Sequence, residues 1–364
     1  MSTNLHEVSK QWASRPDDQR FLTLEELRTA VAARRRSARE IDTALNLVSV
    51  VPSDDGGTLM LTDGDFEAPL THWSFGQLAQ RVRLPGAALR DMPPELAALN
   101  LQWGLEHRLD DDADGKATKL LVGPHDGAPL VVRAATSLRY GRIWDLDVVD
   151  AVRRHIGPEW KVPGASYASH DPLRATTLYA SDRDVFLFLC NEENPIEVPG
   201  TNGREKLHRG FYVWNSETGA ASFGLTTFLY RYICDNRIVW GADNVQELRI
   251  RHNGQAPGRF LGQAGPRLRG YLNAGTAGTV GVIQRAMAKE IGRDKADVVS
   301  FLRGRGFGAA IAGGAYDSAE RDNLNPRSLW GVVQGLTSDA HAIRHTDTRI
   351  ERERDAGDLL DLVK

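Results

Sequence analysis

Residues 210–241 read GFYVWNSETGAASFGLTTFLYRYICDNRIVWG, and the alternation within them decides the fold. Phe211–Trp214 has the pattern of a strand, Asn215–Gly219 that of a turn, and Ser222–Cys234 that of a longer return strand. Strand side chains point alternately to opposite faces, so Tyr212 and Trp214 share one side. On the return strand Thr226, Phe228, Tyr230 and Tyr232 share a side, and Phe223, Leu225, Leu229 and Ile233 share the other. Both sides are apolar or aromatic, which predicts a sheet with one face buried under helices. Asn215, Ser216 and Gly219 suit an Asx-type turn with glycine at positive φ, a structural element rather than a catalytic one.

Working outward, Val185–Cys190 is apolar on both faces and reads as a central strand, paired across Ser181–Asp184 with Ala175–Ala180. Asn191–Gly203 reads as a turn-rich loop. Lys119–Val122 and Leu130–Ala135 form a further strand pair around Gly123–Pro129. Between these pairs, Val149, Val152 and Ile156 share a helix face, with Asp145 or Asp147 as the cap.

Towards the N-terminus, Thr23 caps a helix carrying Leu24, Leu27 and Val31, and Arg34–Arg36 reads as a solvated cluster at its end. Asp54-Asp55-Gly56-Gly57 divides Leu45–Val51 from Thr58–Leu61 and predicts a hairpin. Residues 72–107 are helical and break at Pro85 and Pro93-Pro94; Leu96, Leu99 and Trp103 are in register on the last helix. Gln77–Leu89 departs from a helix-turn-helix because Arg83 stands where the turn prefers glycine.

After Gly258 the pattern is helical, with breaks at Gly304–Gly308 and Gly313-Gly314. Its cleanest helix, Pro326–Arg344, carries Leu329, Val332, Val333, Leu336, Ala340 and Ile343 at 3.6-residue spacing. The reading is an α+β fold: a central antiparallel sheet with helical N-terminal and C-terminal units. It divides into a flexible arm (1–22), a mainly helical unit with a hairpin (23–108), a sheet core (109–256) and a helical unit (257–364).

The 364 residues are 41% hydrophobic and 26% charged, a globular composition. No run approaches the roughly 18 apolar residues of a membrane span, and Met1–Lys10 lacks a secretory signal's apolar stretch. Two cysteines, Cys190 and Cys234, fit a reducing cytoplasm rather than a disulfide scaffold. The net charge of −3 hides an asymmetry: Arg249–Arg305 holds eleven Lys/Arg against Glu290, Asp294 and Asp297, a balance of 11 − 3 = +8. Such segments attract phosphate backbones, although arginine stems also cover apolar surface.

No catalytic residue, metal or cofactor is identified in the sequence, and an enzyme with an unrecognised site stays among the alternatives. His341 and His345 stand at i,i+4, but Ala342, Ile343 and Arg344 intervene where a metalloprotease helix carries glutamate. His170-Asp171 lies in a loop. The glycine-rich runs Gly275–Gly281 and Gly304–Gly308 lack the Gly-Lys-Ser/Thr of a phosphate-binding loop, and Cys234 has no histidine near it in sequence.

The Asn215–Gly219 turn, the Arg231–Cys234–Asn236 region, the helix-Pro-helix entry at Phe75–Pro94, and Trp330–Thr337 followed by a charged helix ending Ala356–Leu360 resemble an uncharacterised family of phages, prophages and plasmids. The resemblance touches most of residues 70–362. It implies mobile-element DNA metabolism, by analogy with phage single-strand annealing proteins.

Single strands are held by aromatic faces that stack bases and by cations that track phosphates. Candidates for these roles are Tyr212, Trp214, Tyr230, Tyr232 and Trp240, interleaved with Arg209, Arg231 and Arg237 and followed by Arg249 and Arg251. The competing reading buries those rings in the core. A third makes the protein a non-enzymatic interaction factor, with the mixed-sign Thr348–Lys364 and its Leu359, Leu360 and Val363 suited to packing against a second subunit as readily as against their own core.

Overall fold

The computed structural model describes residues 19–64, 66–109, 116–125, 128–162, 176–200, 203–231, 236–238, 248–340, 352 and 355–364. It is an α+β fold with a central antiparallel sheet and helices at both ends of the chain.

Strand β1 (Arg20–Phe21) leads into helix α1 (Leu24–Arg36). Thr23 opens α1 with a capping box: its hydroxyl accepts from Glu26 N–H at 3.1 Å while the Glu26 carboxylate accepts from Thr23 N–H. Leu27 and Val31 are buried, as their spacing predicts, but against the large sheet rather than within an N-terminal unit. Strands β2 (Arg39–Ala44), β3 (Ser49–Pro52), β4 (Leu59–Thr62) and β5 (Glu67–Pro69) follow. The expected hairpin is β3–β4, with Gly56 at φ +65° in its turn.

Helices α2 (His72–Arg81), α3 (Gly86–Arg90) and α4 (Pro94–His107) pack on the small sheets β3–β4–β5 and β2–β6–β7, where β6 is Ala117–His125 and β7 is Ala128–Thr136. Packing thus runs across the sequence divisions at 22/23 and 108/109. Arg83 takes φ +54° after α2, where Leu84 N–H reaches back to the Ala79 carbonyl at 2.9 Å to close the helix. On α4 the buried face is Ala97, Ala98, Leu101, Gly104 and Leu105; Leu96, Leu99 and Trp103, in register in the sequence, face solvent.

Helix α5 (Asp145–His155) precedes β8 (Trp160–Lys161), β9 (Leu178–Ala180), β10 (Val185–Gly200), β11 (Gly203–Asn215), β12 (Phe223–Arg231), β13 (Asn236–Ile238) and β14 (Leu248–Ile250). The large sheet runs β1-β9-β10-β11-β12-β13, with β8 on β10 and β14 on β12, and every pairing in it is antiparallel.

Asn191–Gly200, expected as loop, instead continues β10. The Asn191 side chain accepts from Asn194 N–H at 2.9 Å and a bulge takes up Glu192–Pro195. Ile196 and Val198 then resume the alternation and bury their side chains. Cap and helix also part company at α5: Trp144, not an aspartate, is the N-cap, and Asp145 is buried within the first turn.

One face of the sheet, with Leu187, Leu189, Phe211, Val213, Phe223 and Leu225, lies under α1, α5 and α6 (Ala256–Asn273). Beyond the bulge, β10 and β11 carry the C-terminal helices α7 (Ala277–Ala288), α8 (Lys295–Arg303), α9 (Ala309–Arg321) and α10 (Leu329–Ala340). Of the expected helix 326–344, α10 covers Leu329–Ala340; Pro326–Ser328 are turn and an isolated bridge to Glu290, and 341–344 lie outside the described residues. Gly313-Gly314 lies inside α9 instead of breaking it. The α9–α10 pair is so close there that a Cβ on Gly335 would overlap the Ala315 carbonyl. Leu359 and Leu360 are buried in this unit's own core, not held out for a second subunit. Among the described residues no helix is long and apolar enough to cross a membrane.

Candidate nucleic-acid interface

Two aromatic residues of the candidate interface, Tyr212 and Trp214, are built into a packed layer. Alternation on β10 and β11 places Phe186, Phe188, Tyr212 and Trp214 on the face opposite the helices, where they pack with Tyr179 and Cys190. Tyr212 lies 5.9 Å from Phe186 and 5.6 Å from Trp214, ring to ring. The Trp214 indole covers Gly224 of the neighbouring strand so closely that a Cβ there would overlap it. Tyr212 and Trp214 are 8% and 2% exposed, so in this conformation neither ring is open to a base. The core reading applies to both.

Arg209 is likewise committed. It donates to the Tyr271 and Ala274 carbonyls at 3.2 and 2.9 Å, closing the C-terminus of α6, and lies against the rings of Trp160 and Tyr271. Tyr230 and Arg231 hold ladder positions opposite His208 and Leu207, and Arg237 pairs with Tyr230. Tyr232 and Trp240 lie outside the described residues, as do Cys234, His170, Asp171, His341 and His345. Arg249 is half-buried on β14 and Arg251 is exposed.

The basic segment has the opposite character. Of its eleven cations, eight are exposed: Arg251, Arg267, Arg269, Arg285, Arg293, Lys295, Arg303 and Arg305. Arg293 pairs with Asp297 and Lys295 with Asp317. Among the described residues Arg251, Arg267, Arg269 and Arg303 have no acidic partner. Arg269 also approaches His155 at the C-terminus of α5, and His155 is held below the usual histidine range by burial and by the arginines 269 and 154.

The Asn215–Gly219 turn is the structural element its composition predicts, with Gly219 at φ +92°, but its wiring differs. Asn215 does not close the turn. Its amide donates to the Ile143 carbonyl at 2.8 Å and to Asp145 at 2.7 Å, while Ser216 Oγ accepts from Ala220 N–H at 2.8 Å. Around this turn lies a buried ionic centre that sequence patterning does not reveal. Glu217 pairs with Arg133 at 2.6 Å, and Arg142 donates to the Glu217 carbonyl and to Glu40. Trp73 and Gln77 of α2 both donate to the Thr218 carbonyl.

Arg34, expected in solvent, is half-buried and donates to the Ser181 carbonyl at 2.6 Å; Arg35 lies over Trp144. Burial, then the neighbouring Glu217, raises Asp145 well above the usual carboxylate range. His252, stacked on Tyr140, is pushed down to about 4 by burial and is neutral near pH 7. The centre ties α2, β7 and α5 to one sheet turn, and Arg133 Nε and Nη1 and Asn215 Oδ1 are buried in it without a hydrogen-bond partner among the described residues. The one signal of it in the sequence is Arg133 inside an apolar strand.

Among the described residues no group of His, Cys, Asp and Glu is arranged to hold a metal. Compared with protein-family models, curated proteins and solved structures, the chain matches none.

Proposed function

We propose that the protein binds single-stranded DNA through phosphate contacts along Arg249–Arg305 and promotes annealing, in the setting of a mobile element. The observation that carries this reading is a set of exposed arginines, Arg251, Arg267, Arg269 and Arg303, with no acidic partner among the described residues, in a chain of net charge −3. With Tyr212 and Trp214 buried, the cations hold the backbone and base edges stay free to pair with an incoming strand. The mobile-element setting comes from the family that residues 70–362 resemble.

The test is a gel shift of a labelled single-stranded oligonucleotide at low salt, using wild type and an Arg251→Glu/Arg267→Glu/Arg269→Glu variant. Wild type shifts the strand and the variant does so weakly, for every sequence tried. Equal shifts by both proteins, or none by wild type, would sink the reading.

A second reading rests on α4. Leu99 and Trp103 are 66% and 49% exposed, and with Leu96 they form an apolar stripe suited to a protein partner. Association through such a stripe is insensitive to salt, whereas phosphate contacts weaken steeply as salt rises.

A further inference from the structure

The N-terminal unit contains a cavity of about 280 Å³ between the end of the β3–β4 turn, the entry to α2, α3 and the start of α4. Its walls include the buried side chains of Leu59, Leu70, Phe75, Leu89 and Ala97. One guanidinium, Arg90, stands among its lining groups. It donates to the His72 carbonyl at 2.8 Å and lies over the Phe75 ring at 5.0 Å. Gly76 gives that position room: a Cβ there would come within 3.0 Å of an Arg90 nitrogen.

Among the described residues no Asp or Glu lines the cavity. The next cation, Arg183, 3.8 Å from Asp182, acts electrostatically on both His72 and Arg90; burial and these like charges lower both groups, with Asp182 opposing at His72. The lining therefore favours a negative charge, and the interior favours hydrocarbon.

We propose that this cavity binds a small organic anion: a carboxylate with a compact apolar body, its charge on Arg90 and its body against Phe75 and Leu89. Size sets the body. An apolar cavity of roughly 150 Å³ holds a benzene ring, so about 280 Å³ takes a ring with a short chain. Pockets of this kind, apolar with few convergent polar groups, are the usual form of small-molecule sites.

The site lies outside the basic segment, so its test is independent of DNA binding. The full chain is titrated with 4-phenylbutyrate and with its uncharged amide by calorimetry, alongside Arg90→Gln and Ala97→Leu. Wild type is expected to prefer the acid by about tenfold, the worth of one charge-assisted hydrogen bond. Arg90→Gln, an exposed position, should keep the thermal midpoint and bind acid and amide alike. Ala97→Leu, which fills the cavity, should weaken both. Wild type binding neither compound, or binding both equally, overturns the proposal. So does a folded Ala97→Leu protein with unchanged affinity for both.

Discussion

The arginines around the Asn215–Gly219 turn and those on Arg249–Arg305 are the same side chain in opposite surroundings. Arg133, 1% exposed, is matched by Glu217; Arg142 is matched by the Glu217 carbonyl and Glu40. Arg267, Arg269 and Arg303 are exposed, with no acid beside them among the described residues. A guanidinium out of water needs a matching charge, which Glu217 gives Arg133 even though Arg133 Nε and Nη1 have no hydrogen-bond partner among the described residues, so the first group is tied to the fold. The second group leaves its donors to solvent or to a ligand. The difference predicts a division of labour: substitutions at the turn cost stability, and substitutions on the segment cost binding.

The largest expected effect is Glu217→Ala, which removes the acid from a buried pair and strands Arg133. Breaking such a pair costs about 3–5 kcal/mol, so the variant should melt far below wild type or fail to fold, as read by calorimetry. Next is Gly219→Val. A β-branched residue at φ +92°, with Gln77 only 3.3 Å from the new Cβ, should cost about 1–3 kcal/mol in urea unfolding. A Gly219→Val protein as stable as wild type would place the turn outside the structural account.

The pH dependence follows, with two groups of opposite sign. His252 is depressed to about 4, so between about 6.5 and 4 the unfolded chain binds the extra proton. Its contribution is full at neutral pH and lost as pH falls. Asp145 is raised, so its contribution is full below about 3.9 and lost as pH rises through the elevated value. Plots of thermal midpoint against pH should accordingly flatten in His252→Gln and steepen in Asp145→Asn. Both slopes staying at the wild-type value would remove the buried centre as a determinant of stability. The smallest expected effect on stability is Arg251→Glu/Arg267→Glu/Arg269→Glu, whose thermal midpoint should match wild type.

Much of the fold was legible because period-2 and period-3.6 patterns are local. The Val185–Cys190 strand, the 53–58 hairpin turn, the helix 24–36 and Gly219 all follow from neighbours in sequence. What was not legible depended on distant partners. The spacing of Leu96, Leu99 and Trp103 gives a helix face, but Ala97, Ala98 and Leu101 give one too, and small residues won because β3 lies close against the helix. Asn191–Gly200 carries Asn and Pro, which signal turns, and a single bulge absorbed them. Arg34, Arg133, Asp145 and Glu217 stand far apart in the chain, and only the closing of the sheets brings them together. Charge count found the exposed cations because all eight fall within the one segment Arg249–Arg305. It could not find buried ones that balance.

The central claim, that the exposed arginines are the ones that meet phosphate, is tested most directly by fluorescence anisotropy. A labelled single-stranded oligonucleotide is titrated with wild type and with Arg251→Glu/Arg267→Glu/Arg269→Glu across a range of salt. Each phosphate contact to a single strand adds about 0.7 to the slope of log K against log salt, so losing three should lower the slope by about 2. The account predicts a steep wild-type slope, a shallower one in the variant, and equal melting temperatures. Identical slopes and affinities in the two folded proteins, or no binding by wild type at low salt, would contradict it.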